Sequence, residues 1–248
     1  MEDHSEVPPG VRELPELRDR VRVFADRADA GAVLARLLAG EVQPTALILA
    51  VPAGGAPVAA AIATALRLPL ELAVVSKVLL PWDTEAGYGA VAFDGTIRIN
   101  EPLVEALGLG RATVEAGLAA TRRRVEQRVE RLRGGRPFPD LHGREALLVD
   151  DGLASGFTMG VAVEALRRAG AGTVRVAVPT GHLEAVARLA PLVETLFCAN
   201  IRGGRRFAVA DAYRNWRDVD EEEVLRELAR AGGITGGPGE RRRPRRET

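Results

Sequence analysis

The stretch Ala146–Met159, ALLVDDGLASGFTM, decides how the rest of this 248-residue chain is read. An apolar run of strand length ends in two adjacent aspartates, Asp150 and Asp151; small residues follow, and Thr158 opens a helical pattern. Gly152, Ala154, Ser155 and Gly156 permit a tight turn whose backbone N–H groups converge. A turn feeding a helix N-terminus favours an anion, because amides and helix dipole act together. Two carboxylates beside such a cradle would repel the phosphate itself. They suit a sugar diol, whose hydroxyls donate to carboxylate oxygens, or a divalent cation. The stretch therefore points to a phosphorylated sugar, with phosphate on the amides and ribose on the aspartates. It is neither a Walker loop, since no Gly-Lys-Ser/Thr follows, nor a dinucleotide fingerprint. An aspartate acting as N-cap or turn former accounts for one of the pair, not for both.

On either side, strands alternate with helices. Upstream, FADRADAGAVLARLLAG places Ala30, Val33, Leu34, Leu37 and Leu38 on one helix face, stopped by Gly40. TALILAV (Thr45–Val51) reads as a strand, PAGG as a loop, APVAAAIATAL as a helix and LPLELAVVSKV (Leu68–Val78) as a second strand. LLPWDTEAGYGAVAFDGTIRIN reads as a loop entering a β-hairpin that turns at Asp94–Gly95. A long helix is expected over Arg111–Arg133, with Val114, Leu118, Val125, Val129 and Leu132 as its packing stripe; its mixed-sign outer face reads as solvated. After the aspartates come a helix over Thr158–Ala169, the strand GTVRVAVPT, the helix HLEAVARLA, the strand LVETLFCA and a last helix in VDEEEVLRELARAG. This order implies an α/β fold, a mainly parallel twisted sheet flanked by helices, with ligands at the carboxyl ends of its strands. Residues 1–20 are expected to be a flexible arm, 21–232 one domain with a small hood, and 233–248 (GITGGPGERRRPRRET) a disordered basic tail.

Composition narrows the function classes. Hydrophobic residues make up 46% and formal net charge is zero, so a core is available and no bulk field calls for nucleic acid. The single cysteine, Cys198, excludes an internal disulfide and reads as buried filler. The acidic, proline-bearing N-terminus is not a signal peptide, and no apolar stretch reaches the ~20 residues a membrane span needs, so a soluble cytoplasmic protein is expected. His4, His142 and His182 show no metal-ligand spacing. Of the 34 basic residues all but Lys77 are arginine. A lysine kept against that drift suits a place that wants a compact, flexible ammonium rather than a planar fork.

LLVDDGLASGFT resembles the phosphoribosyl pyrophosphate (PRPP) signature of type I phosphoribosyltransferases. VPAGGAPVA (Val51–Ala59) is similar to that family's pyrophosphate loop, and VSKVLLPWDTEAGYGAVAFDG to the strand-end lysine, mobile loop and hairpin of an uncharacterised subgroup. The likeness runs from about Phe24 to Leu228. It implies that Asp150 and Asp151 bind the ribose hydroxyls, partly through a Mg²⁺-ordered water shell. It further implies that Ala154, Ser155, Gly156, Phe157 and Thr158 hold the 5′-phosphate and that Ala53, Gly54 and Gly55 form the pyrophosphate loop. Glycine at 54 and 55 is expected to supply unusual dihedrals. Lys77 would meet the leaving group, and Glu85 is the one acid/base candidate. Tyr213 and Trp216 are the candidates to stack on the acceptor. The implied partners are PRPP and a small-molecule acceptor such as a nucleobase, in a homodimer that neither enters membranes nor binds nucleic acid specifically. Three departures stand out. Ala53 occupies a position where relatives often carry Arg or Lys, Ala154 the place of a base-side Asp, and Ser155 that of a commoner Thr. The first two leave room for an alternative, a catalytically weak PRPP- or nucleotide-sensing protein.

Overall fold

The computed structural model describes residues 7–84 and 86–232. In chain order these form β1 (Val11–Arg12), α1 (Arg27–Leu38), β2 (Leu47–Ala50), α2 (Gly55–Leu66), β3 (Leu70–Leu72), β4 (Val75–Leu79), β5 (Gly87–Ala92) and β6 (Ile97–Ile99). There follow α3 (Glu101–Ala106), α4 (Arg111–Arg133), β7 (Glu145–Val149), α5 (Phe157–Arg168), β8 (Thr173–His182), α6 (Leu183–Leu189), β9 (Thr195–Arg202) and α7 (Glu221–Arg230).

The central sheet has six strands in the order β1-β9-β8-β7-β2-β3, and every pairing is parallel. This is the expected mainly parallel sheet. Its middle strands are buried on both faces, as continuous apolar runs such as LILA and EALLV require. Alternate residues divide between two cores. Ile48, Ala50, Leu147 and Val149 face the side of α1, α2 and α7, while Leu47, Leu49, Ala146 and Leu148 face the side of α5 and α6. The chain leaves β2 for β3 in one direction and β7 for β8 in the other. The crevice between the carboxyl ends of β2 and β7 is therefore a topological switch point, where parallel α/β sheets take their ligands.

Local choices follow their sequence signals. Asp26 caps α1, its carboxylate accepting the Asp29 N–H at 3.0 Å, while Asp29 accepts the Ala25 N–H at 2.8 Å. In the β5–β6 turn Asp94 accepts from both the Thr96 N–H and the Thr96 hydroxyl, at 2.9 and 2.6 Å. The helix over Arg111–Arg133 has the expected bounds, and Arg128 and Arg131 on its polar side pair with Glu221 of α7 at 3.1 and 2.5 Å.

Two expectations need correction. Leu68–Val78 is not one strand. It breaks at Ala73–Val74 into β3, on the edge of the parallel sheet, and β4, in a separate three-stranded antiparallel sheet β4-β5-β6. Both pieces are apolar because both are covered, so composition does not mark the break. Nor is the whole of residues 1–20 a loose arm. Val11–Arg12 pairs with β9, and the Leu14 and Asp19 N–H groups donate to Ala199 and Ile201 carbonyls at 3.1 and 3.0 Å. This pairing satisfies the β9 edge that would otherwise be bare. The C-terminal tail, 233–248, lies outside the described residues.

A hood forms where two distant segments run together. The Phe24 N–H donates to Ala212 at 3.0 Å, Arg214 donates back to Phe24 at 2.8 Å, and Asn215 donates to Ala25 at 2.9 Å. Buried Asn200, near the end of β9, holds the chain that leads into it. Its amide donates to the Leu17 and Arg20 carbonyls, and its carbonyl oxygen accepts from the Thr180 hydroxyl at 2.7 Å.

Candidate active site

Two strand ends and one helix start build the site. Asp150 and Asp151 leave β7, and Pro52–Gly55 leave β2 beside them; Val51 N–H donates to the Val149 carbonyl at 2.8 Å. The Pro52–Ala53 peptide is cis. Gly54 and Gly55 are needed here for space rather than for unusual dihedrals, since neither has positive φ. A Cβ on Gly54 would lie 2.0 Å from Asp151 Oδ2, and one on Gly55 would lie 2.7 Å from the Val149 carbonyl oxygen. The pyrophosphate-loop candidates and the aspartates are thus in direct contact, a packing that only glycine allows.

The turn after the aspartates is tied down on its far side. Leu153 N–H donates to Thr180 at 2.9 Å, and His182 N–H donates to Leu153 at 2.8 Å. Gly156 adopts φ +73° and precedes α5, which begins at Phe157, one residue earlier than expected. This is the glycine whose left-handed conformation the turn requires. Ala154 and Ser155 are exposed, while Gly156, Phe157 and Thr158 are half-buried. The Ser155 hydroxyl accepts the Phe157 N–H at 3.3 Å, and Arg188 donates to the Ser155 carbonyl at 3.2 Å. Gly152 brings the turn under the hood: a Cβ there would sit 2.4 Å from Val209 Cγ1. A groove of about 820 Å³ starts at Ser155–Phe157 and continues along α5 and α6; neither aspartate lines it.

The two carboxylates have different surroundings. Arg27, at the start of α1, pairs with Asp151 Oδ2 at 2.8 Å through Nη2 and 2.9 Å through Nε. Asp150 Oδ1 accepts the Asp151 N–H at 2.8 Å. Burial, together with the Asp151 charge, holds the Asp150 carboxyl well above the usual carboxylate range. Arg27 is not legible in the sequence, being one of many arginines; its place just after the Asp26 cap is the only signal.

Lys77 is exposed on β4, opposite Ala90, and its carbonyl accepts from Arg124 at 2.8 Å. Its sheet packs through β4 and β5 against α5, the helix that starts at the turn. Trp82 and Asp83 lie exposed in the β4–β5 loop, where Asp83 accepts the Ala86 N–H at 2.8 Å. Glu85 lies outside the described residues. Tyr88, three residues beyond Glu85, is buried in β5.

Tyr213 is not placed to stack on an acceptor. It is 3% exposed, packed against Phe24 and Trp216 with centroids 5.7 and 5.1 Å away, and its hydroxyl donates to the Asp151 carbonyl at 2.6 Å. The aromatic pair is a hood-to-core wedge. Trp216 is 39% exposed, with the Arg27 guanidinium 3.8 Å from its ring centroid.

Among the described residues no group of three or more His, Cys, Asp and Glu side chains could hold a metal ion by itself. The donor set at hand, two neighbouring carboxylates, fits a hard cation that keeps waters and takes its remaining oxygens from a substrate. No helix among the described residues is long and apolar enough to cross a membrane.

The phosphoribosyl transferase domain family matches residues 29–200. The chain belongs to the phosphoribosyltransferase family. That span takes in both loops at the switch point, and the family is one of pentosyltransferases. Two Mycobacterium tuberculosis proteins provisionally assigned as phosphoribosyl transferases, MT0597 (strain CDC 1551 / Oshkosh) and Rv0571c (strain H37Rv), are each 36% identical over 221 residues. The match covers 86% of this chain and 50% of each of theirs, so the chain spans about half the length of these curated relatives. The crystal structure of TT1426 from Thermus thermophilus superposes with a TM-score of 0.66 at 32% identity, covering 83% of this chain and 97% of that one.

Proposed function

We propose that this phosphoribosyltransferase-family chain transfers ribose 5-phosphate from PRPP to a nitrogen base or related nucleophile, with release of pyrophosphate. One observation carries the reading. The aspartate pair, a glycine loop in contact with it and a turn opening a helix N-terminus converge where β2 and β7 end. Each meets a different part of a sugar carrying phosphate at one end and diphosphate at the other.

In this reading the amides of Ala154–Thr158 and the N-terminus of α5 take the 5′-phosphate. Asp150 and Asp151 accept from the ribose hydroxyls, and the amides of Ala53 and Gly54 face the diphosphate, the Gly55 N–H being held by the Val51 carbonyl at 3.0 Å. Bond breaking between the anomeric carbon and the diphosphate leaves positive charge on the sugar and negative charge on the leaving group. Lys77 counters the latter, and the acceptor nitrogen bonds to the same carbon. The proton shed by the acceptor goes to solvent or to Glu85. A Mg²⁺ ion arriving with the diphosphate would be held by Asp150 and Asp151 through water and would neutralise leaving-group charge. Fixed dipoles and orientation supply the remainder.

The absence of a cation at Ala53 favours a second reading, a PRPP- or nucleotide-sensing protein with little turnover. Following pyrophosphate release across a panel of nucleobases, with the parent chain and Lys77→Ala, separates the two. Lys77-dependent release supports transfer. Donor binding with no release from any acceptor supports sensing.

A further inference from the structure

Arg27 reaches in three directions at once. Nε and Nη2 meet Asp151 Oδ2 at 2.9 and 2.8 Å, Nη1 donates to the Arg217 carbonyl at 2.7 Å, and the guanidinium carbon lies 3.8 Å from the Trp216 ring centroid. The residue is only 8% exposed. A planar fork with several N–H groups and a stackable face can meet all three partners; a lysine ammonium cannot. Both bonds to Asp151 fall on the same oxygen, so the Oδ1 lone pairs are not used by Arg27. The hood grips the same residue by its backbone as well, through the Tyr213 hydroxyl at 2.6 Å from the Asp151 carbonyl. Among the described residues Asp150 has no such tie to the hood; its Oδ1 accepts the neighbouring Asp151 N–H.

A buried arginine beside an aspartate could serve merely as its counter-charge. That role needs neither the Arg217 carbonyl nor the Trp216 ring. The three-way contact joins one member of the aspartate pair to the segment over the site, and it does so through one rigid group.

We propose that Arg27 is a positioning residue for phosphoribosyl transfer, coupling the Asp151 carboxylate to the hood at Arg217 and Trp216. It presents Asp151 Oδ1 to the sugar and sets the hood in register with it. The proposal rests on the donor-site reading for its substrate, but the coupling is a property of the free protein.

The test uses the full chain in a Trp82→Phe background, where Trp216 is the sole tryptophan. Emission of the free protein is recorded for Asp151→Asn, Arg27→Gln and the double variant, with folding verified by circular dichroism. Transmission through Arg27 predicts that Asp151→Asn shifts Trp216 emission when Arg27 is present and leaves it unchanged in Arg27→Gln. Additive shifts overturn the proposal. Arg27→Lys provides the second arm, and it keeps the positive charge should Arg27→Gln fail to fold. It is expected to shift Trp216 emission and to lower kcat/KM for PRPP by about 10- to 100-fold, the range seen when a group that orients a ligand-binding side chain is lost. Parent-like emission and kcat/KM in Arg27→Lys would reduce Arg27 to a counter-charge and overturn the proposal. Should the parent chain not bind PRPP while the emission shifts are non-additive, the donor reading fails and the coupling stands.

Discussion

The floor of the site and the hood above it are assembled differently. The floor consists of two short runs of consecutive residues, Pro52–Gly55 and Asp150–Thr158, each attached to a strand buried on both faces. The hood joins residues 22–27 to 211–217 through backbone bonds and through Arg27, Tyr213 and Trp216. In the floor the backbone and small side chains do the positioning, so one or two residue types carry the geometry. In the hood large side chains from distant segments must meet, and each depends on the others. Away from the Arg27–Asp151 link that joins them, the floor should therefore lose function while keeping its stability, and the hood should do the reverse.

The largest effect is expected from the aspartates. Asp150→Asn with Asp151→Asn removes two charged acceptors for the ribose hydroxyls. At about 1.5–3 kcal/mol for each hydrogen bond to a charged group, turnover should fall roughly 10²- to 10⁴-fold. Thermal unfolding of Asp150→Asn alone should stay within a few degrees of the parent. Asp151→Asn leaves the buried Arg27 guanidinium without its counter-charge and should also lower stability; steady-state kinetics and calorimetry will check both together. An unfolded Asp150→Asn variant would show that the floor is structural as well.

Next comes Lys77→Ala. It stands on an exposed face of a separate sheet, so stability should hardly change, while kcat falls about tenfold or more from the loss of a charged contact to the leaving group. A change in PRPP affinity alone, with kcat intact, would move Lys77 from the departing charge to simple donor binding.

The chain leading into the hood provides the opposite signature. Asn200→Ala strips the Thr180 hydroxyl and two carbonyls of their buried partner. It should cost about 1–3 kcal/mol in denaturant unfolding and leave PRPP affinity within about twofold. A large drop in affinity with unchanged stability would erase the proposed distinction between floor and hood. The smallest effect concerns Cys198, which is fully buried and whose thiol is pushed far up by that burial. It should resist thiol reagents in the folded protein and react only on unfolding; prompt labelling under native conditions would show that β9 opens.

The same difference explains what can be read from the sequence. Asp150 and Asp151 are neighbours after an apolar run, and Gly156 sits where a turn must enter a helix, so the floor is visible in one stretch of chain. Gly54 and Gly55 stand out there for dihedral freedom, yet they matter because Asp151 and Val149 leave no room for a Cβ. That reason exists only once β2 and β7 lie side by side. Arg27 is one arginine in a chain where arginine is the default cation, and its place just after the Asp26 cap is all that separates it from the others. Tyr213 and Trp216 stand out as paired aromatics, but which faces are covered depends on Phe24 and Arg27, some 190 residues away in sequence. The division of Leu68–Val78 between two sheets leaves no trace in composition, because both halves are covered and no glycine or proline marks the break.

Calorimetric titration of PRPP into the full chain, with and without Mg²⁺ and beside the Asp150→Asn/Asp151→Asn variant, tests the central claim most directly. The account predicts metal-dependent binding to the parent that the variant loses. Absence of binding at millimolar PRPP, or equal binding by the variant, would contradict it.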